Sequence, residues 1–331
     1  MRIAIVKLSA MGDIIHAMVA LQFLKKYHPE FEIDWITEES FVGIPAKNPH
    51  LRKVLPVNLK SIKKSFINIF SQIKLLTNYR RNNYDLVIDA QGLIKSAIVS
   101  LFLGRNRIGF DAKSTRESLA SIFYTKKISI NYEENVILRN IALICGPFGI
   151  NVLNKEIANK EPFLFADFSI SFNVIQNSKK NILLILGASK ANKIYPKERF
   201  SNLCKLIDAN FICVWANEFE HDCATFLASE NQNVQVCSRL SLEELKALIS
   251  KVDLVIGGDT GPTHMAWGLN IAAVGIFGNT PNWRNTFEDF RNKSIKSSSL
   301  VDPLKLNKSD FSINEIDENE IAQIAKGLIF G

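Results

Sequence analysis

The sequence predicts an α/β protein of two doubly wound, Rossmann-like parallel-sheet halves. Short apolar runs alternate with helical patterns along the chain, the signature of strands joined by helical crossovers. The alternation occurs twice, on either side of a polar stretch of weak periodicity at 154–181. A chain of 331 residues accommodates two such domains, and 47% hydrophobic with 22% charged residues is the composition of a folded protein. The expected domains are 1–160 and 161–331.

In the first half, strands are predicted in "RIAIVKL" (from Arg2), "EIDWIT" (from Glu32), "KVLPV" (from Lys53), "DLVIDAQ" (from Asp85) and "NRIGF" (from Asn106). In the second half they are "NILLILGAS" (from Asn181), "FICVWAN" (from Phe211), "VQVCS" (from Val234), "DLVIGGD" (from Asp253) and "IAAVGIFG" (from Ile271). The chain closes with "NEIDENEIAQIAKGLIF", one amphipathic helix that is free to pack back on the first domain. "SIKKSFINIFSQIKLLTNYRR" (61–81) sets Phe66, Ile69, Phe70, Ile73 and Leu76 on one helix face bordered by cations. That face packs either on its own sheet or at the interface of an anionic lipid leaflet.

No run approaches the roughly 18 apolar residues of a spanning helix. "MRIAIVKLSAMGD" has too short an apolar core for a signal segment and reads as a buried strand. A cytoplasmic location is expected. The five cysteines show no CxxC spacing, so free thiols are expected and a zinc site is not. The net charge of +7 is unevenly placed. From Phe41 to Tyr84 there is no acid, while Lys47, Arg52, Lys53, Lys60, Lys63, Lys64, Lys74, Arg80 and Arg81 lie there. This pattern suits an anionic partner or a solvated basic face. No recognised nucleic-acid module accompanies it, which argues against a nucleic-acid partner.

Ligands of open parallel sheets bind beyond the carboxyl ends of strands. In the second half, "GGDTGPTHMAWGL" ends a buried strand at Asp259 and turns through Thr260, Gly261 and Pro262 into a helix starting near Thr263 or His264. Gly261 permits close approach of a ligand, and the helix start with the Thr260 and Thr263 hydroxyls suits a diphosphate. His264 offers a further donor. "LILGASKANKIYP" places Ser189, Lys190 and Lys193 after another strand, natural partners for phosphate. "VWANEFEHD" places Glu218 and Glu220 after a third, where a carboxylate suits ribose hydroxyls or simply an acidic first helical turn. Together these turns predict a nucleotide-diphosphate site. Neither first turn carries GxGxxG or GxxxxGK[ST], which argues against NAD-linked and P-loop enzymes.

In the first half, "VKLSAMGDIIHAMVAL" runs from strand to helix with Asp13 in the phosphate-loop position. A carboxylate there repels phosphate. It is either a helix cap or a general base facing the cleft between the halves.

The motifs "KLSAMGDIIHAMVAL", "DAQGLIKSA", "STRESLASIFY", "KIYP" and "DTGPTHMAWGL" together resemble the lipopolysaccharide heptosyltransferases of glycosyltransferase family 9. Their order spans nearly the whole chain, and "DAQGLIKSA" with "TRESLASIFY" looks more like heptosyltransferase I than heptosyltransferase II. The resemblance implies a GT-B fold, two Rossmann-like domains facing across a cleft. It implies inverting transfer of L-glycero-D-manno-heptose from ADP-heptose to the first Kdo of Kdo2-lipid A. The alternative acceptor is heptosyl-Kdo2-lipid A, as for heptosyltransferase II. By resemblance, Asp13 is the catalytic base, Lys193 and Ser189 meet the donor phosphates, and Glu220 meets the ribose. Asp259 contacts the heptose, and Thr260, Gly261 and His264 hold the diphosphate and sugar. Lys60, Lys63, Lys64 and Arg116 match the family's acceptor cations, here with lysines where arginines are frequent. Ala188 stands where the family often carries a second hydroxyl. The scheme needs no metal and no cofactor, ADP-heptose being a substrate. A monomer bound peripherally to the cytoplasmic face of the inner membrane is expected.

Overall fold

The structure of the chain is a computed structural model, which describes residues 1–331 except 64 and 66 and the side chain of residue 63. It divides into two compact units, Met1–Phe163 and Leu164–Gly331.

The first unit runs β1 (Arg2–Val6), α1 (Met11–Tyr27), β2 (Glu32–Glu38), β3 (Lys53–Val57), α2 (Asn68–Arg80), β4 (Leu86–Asp89), α3 (Ile94–Leu103), β5 (Arg107–Phe110), β6 (Lys126–Ile128), α4 (Val136–Ile144) and α5 (Asn154–Ala158). Its sheet is parallel throughout, in the order β3-β2-β1-β4-β5-β6. β1 lies at the centre, and Ile3, Ala4, Ile5 and Val6 are fully buried. Right-handed crossovers set the layers: β1→β2 and β4→β5 step in opposite directions, so α1 and α3 cover opposite faces. α1 packs with α4, while α2, α3 and a 3-10 turn at Ser118–Phe123 pack in succession.

The second unit runs β7 (Asn181–Ile185), α6 (Lys197–Leu206), β8 (Asn210–Val214), α7 (Glu218–Glu230), β9 (Val234–Val236), α8 (Leu242–Ile249), β10 (Leu254–Gly258), α9 (Gly261–Gly268), β11 (Ala272–Phe277), α10 (Asn282–Asn285), β12 (Asn292–Lys296) and α11 (Glu318–Ile329). Its parallel sheet, β12-β11-β10-β7-β8-β9, repeats the order of the first. In each sheet the order reverses beside the first strand, between β1 and β4 and between β7 and β10. Those are the two switch points where a doubly wound sheet opens a crevice for ligand.

The predicted strands all appear; most are shorter than the apolar run, while β3 matches it and β2 runs one residue further, to Glu38. β6 and β12 are absent from the sequence-based reading. Both are polar edge strands, "KKI" and "NKSIK", and edge strands rich in lysine carry no apolar run to find. α9 begins at Gly261, earlier than the predicted Thr263 or His264, because Thr260 takes the extended N-cap conformation and Pro262 fits the first turn. The C-terminal helix is shorter than predicted. It starts at Glu318, where the Asp317 side chain accepts from the Asn319 N–H, and Ser312–Glu315 forms a separate 3-10 turn. The expectation also leaves α11 free to pack on the first domain. It buries Ile321, Ala322 and Ala325 in the core of its own unit, against α6 and β11.

All five cysteines are buried and unbridged. Burial pushes the Cys145 and Cys204 thiols up to about 12, so they stay protonated at neutral pH. No helix among the described residues is long and apolar enough to cross a membrane.

Candidate active site

At the switch point of the second unit, the chain leaves β7 toward Lys193 and leaves β10 at Asp259. Lys193 Nζ donates to Asp259 Oδ2 at 2.7 Å. On the other side His264 Nε2 lies 3.1 Å from Asp259 Oδ1. Asn285 Nδ2, at the end of α10, donates to Asp259 Oδ2 at 3.1 Å. The side chains of Lys193, Asp259 and His264 are 16%, 8% and 7% exposed, so this is a nearly dry cluster. Burial raises the Asp259 carboxyl, but the Lys193 charge and then the His264 hydrogen bond outweigh it. The carboxyl is held well below the usual carboxylate range. Since Asp259 is ionised, the favourable tautomer of His264 carries its hydrogen on Nε2 and donates it.

This depression has a pH signature. A carboxyl whose folded pKa is lowered contributes stability that is fully present above its unfolded value, 3.8, and is lost as pH falls through its folded value. Urea unfolding of the wild type should therefore show stability decreasing as pH drops from about 5 toward 3. Asp259→Asn should remove much of that slope. An unchanged slope in the variant would show that other carboxylates carry the acid dependence.

Two glycines make room at these strand ends, Gly258 for the Lys193 backbone and Gly187 for Glu220. A β-carbon on Gly258 would lie 2.6 Å from the Lys193 carbonyl oxygen, a backbone atom that cannot swing aside. A β-carbon on Gly187, just past β7, would lie 1.8 Å from Glu220 Oε1. Glu220 thus sits directly over the end of β7. Its Oε2 accepts the Ala216 N–H at 2.7 Å and its Oε1 accepts Asn217 Nδ2 at 2.8 Å, which closes the start of α7. Thr260 caps α9 by its backbone, and Gly261 is the first helical residue. The Thr263 hydroxyl is buried with no hydrogen-bond partner among the described residues. Ser189 is exposed in the turn before the 3-10 segment Ala191–Lys193.

In the first unit Asp13 is exposed in the first turn of α1, and its Oδ2 accepts the Ala10 N–H at 3.2 Å. The loop before it is clamped from β4. Gln91 Oε1 accepts the N–H groups of Leu8 at 3.1 Å and Ser9 at 3.0 Å. Gln91 is itself set by buried Asp89, whose Oδ1 accepts the Gln91 and Gly92 N–H groups at 2.9 and 3.2 Å. Asp89 Oδ2 takes Ser96 Oγ at 2.9 Å and the Tyr124 hydroxyl at 2.7 Å. Glu117 Oε2 accepts the Ile94 N–H at 2.8 Å, and Thr115 Oγ1 donates to the Gly92 carbonyl. The segments "KLSAMGD", "DAQG" and "STRESLASIFY" are therefore one hydrogen-bonded assembly. Arg116 stands exposed between its two anchored neighbours, Thr115 and Glu117.

Lys60 is exposed, with Nζ 5.3 Å from the centre of the Phe41 ring. Lys64 lies outside the described residues, as does the side chain of Lys63, which ends the 3-10 turn Leu59–Lys63. Part of the basic stretch has structural work. Arg52 forms a bidentate pair with fully buried Asp34, which also accepts the Tyr84 hydroxyl at 2.6 Å. Arg52 is therefore committed to the fold rather than to an anionic partner.

The second unit thus offers an ammonium group, a helix start and an orphan hydroxyl beside one strongly ionised carboxylate, and the first unit offers a presented carboxylate. Among the described residues no group of three or more His, Cys, Asp or Glu is placed to hold a metal ion. A profile of glycosyltransferase family 9 (heptosyltransferase) matches residues 72–298. The chain belongs to glycosyltransferase family 9. A lipopolysaccharide heptosyltransferase 1 from Campylobacter coli is 40% identical to this family 9 chain over 99% of both chains. One from Escherichia coli K12 is 28% identical, over 85% of this chain and 88% of its own. The structure of E. coli heptosyltransferase WaaC with ADP superposes with a TM-score of 0.82 over 98% of this chain and 99% of that one, at 23% identity. At that identity the likeness is one of fold, and it places this family 9 glycosyltransferase in the GT-B class.

Proposed function

We propose that this enzyme is a heptosyltransferase of the first type. It transfers L-glycero-D-manno-heptose from ADP-heptose to the first Kdo of Kdo2-lipid A, with inversion and formation of an α linkage. The observation that carries the donor assignment is the Lys193–Asp259–His264 cluster at the switch point of the second sheet. The 40% identity to a heptosyltransferase 1 along the whole chain supports the type.

Each residue has a role that follows from its chemistry. Lys193 shifts toward the donor diphosphate and, with the N–H groups at the start of α9 and the hydroxyls of Ser189 and Thr260, spreads the charge of the departing ADP. Gly261 leaves room for that approach. Asp259 accepts hydrogen bonds from heptose hydroxyls, held in aim by His264 and Asn285. Glu220 accepts from the ribose. Asp13 removes the proton of the acceptor hydroxyl as its oxygen bonds to the anomeric carbon and the bond to the donor phosphate breaks. Lys60, Lys63, Lys64 and Arg116 meet the carboxylates and phosphates of the acceptor. The enzyme acts as a monomer at the cytoplasmic face of the inner membrane.

The deciding experiment compares two acceptors with ADP-heptose. Heptose should pass to Kdo2-lipid A and not to heptosyl-Kdo2-lipid A. Preference for the heptosylated acceptor would assign the second type instead.

A further inference from the structure

We propose that the outer surface of the layer formed by α2, α3 and the 3-10 turn Ser118–Phe123 docks the first unit on an anionic lipid leaflet. The inference rests on the reading that the acceptor is a membrane lipid, and it extends the contact from one helix to a three-element face.

A helix on a sheet hides its apolar stripe. α2 does so only with Leu76 and Tyr79, which are buried. Its Ile69, Phe70 and Ile73 point outward, 39%, 72% and 37% exposed. α3 carries a second outward stripe. Ile98 and Leu101 are exposed and follow exposed Lys95 at helical spacing, and Arg105 is exposed just past the end of the helix. The 3-10 turn that packs on α3 adds Leu119 and Ile122, 60% and 70% exposed. Three successive elements of one layer thus present apolar side chains to solvent, and exposed apolar groups gathered with a polar rim mark interaction sites.

The charge around this face selects the occupant. α2, α3 and the turn contain no Asp or Glu. The cations of these elements and their flanks, Lys74, Lys95, Arg105 and Arg116, are all exposed. Glu117 lies beside the turn, its Oε2 accepting the Ile94 N–H, and is a single acid beside this set of cations. A second copy would set these cations against one another, whereas an anionic leaflet takes both the cations and the apolar side chains. The face is also continuous with the acceptor edge. Lys95 opens α3 directly after the "DAQG" turn, and Lys60 and Lys95 both act electrostatically on Glu38 at the end of β2. Docking there brings the anionic headgroup of a lipid acceptor to the sheet edge where the acceptor cations lie.

The test uses phosphatidylglycerol–phosphatidylethanolamine vesicles without any Kdo lipid, and the full chain. Wild-type protein should co-sediment with them, less so as salt rises. The triple variant Phe70→Ser, Ile98→Ser, Ile122→Ser should bind at least tenfold more weakly. These side chains are exposed, so its thermal unfolding should stay unchanged, as should its transfer of heptose to a water-soluble, deacylated Kdo acceptor, within twofold. Variant binding equal to wild type overturns the proposal, and so does a wild type indifferent to these vesicles. Sedimentation equilibrium showing a wild-type dimer and a monomeric variant would assign the face to a second copy. Because the vesicles hold no acceptor and the soluble acceptor needs no vesicle, failure of docking and failure of the transferase reading give separate results.

Discussion

Asp13→Asn should cut turnover of ADP-heptose by about 10²–10⁴-fold, the range over which a positioned general base acts. The amide is chosen because it separates the two readings of Asp13. Its oxygen still accepts the Ala10 N–H that Asp13 Oδ2 accepts at 3.2 Å, so the first turn of α1 keeps its bond. What goes is the ability to take a proton, together with a charge–dipole term of about 0.3–1 kcal/mol. Thermal unfolding should shift by no more than a few degrees, and ADP affinity, proposed to depend on the second unit, should hold. Steady-state kinetics and calorimetric titration with ADP check the two halves of this expectation. A variant retaining more than about a tenth of wild-type turnover would leave Asp13 as a cap alone, since base catalysis is worth at least two orders of magnitude.

The sequence carried the fold where burial shaped it. Strands buried on both faces read as apolar runs, and every run found in the sequence corresponds to a strand. β6 and β12 were silent because a short lysine-bearing edge strand is recognised by its neighbour, not by its own pattern. α2 shows the opposite limit. Its apolar residues imply a buried face, yet only Leu76 and Tyr79 reach the core, and no periodicity separates an apolar face that meets a sheet from one that meets solvent.

The site divides in the same way. Residues at strand ends were legible because parallel sheets place ligands there, and Lys193, Asp259 and His264 do converge. Their supports were not. Asn285 reaches Asp259 from the end of α10, the short helix after β11, and no motif in its own stretch of sequence marks it. Gly187 and Gly258 matter through what would collide with a β-carbon, a fact of three dimensions. Gln91 looked like part of a family motif. Its physical reason, holding the Leu8 and Ser9 amides beneath Asp13, exists only once β1 and β4 are paired.

Asp259→Ala should separate sugar from phosphate. In the free enzyme Lys193 is tied to Asp259 at 2.7 Å, and this carboxylate is ionised across the working pH range. Removing it frees the ammonium and deletes a negative charge near where the diphosphate is proposed to sit, so ADP should bind as well as before or more tightly. Turnover of ADP-heptose should nevertheless fall by about 10²–10³-fold, the cost of losing one preorganised polar contact at a reacting centre. Lys193→Met should do the reverse to the first quantity. It removes the proposed phosphate partner and leaves a buried carboxylate with only His264 and Asn285, so ADP affinity and turnover should both drop. The second unit should also lose stability, by less than the about 3–5 kcal/mol of a buried charge stripped of all partners. In the double variant neither charge remains to be desolvated, and its loss of stability should be smaller than the sum of the two single losses, a coupling that a double-mutant cycle reads directly. Additive losses would mean that Lys193 and Asp259 are not energetically coupled, and ADP affinity falling alike in both single variants would mean that the diphosphate is held elsewhere.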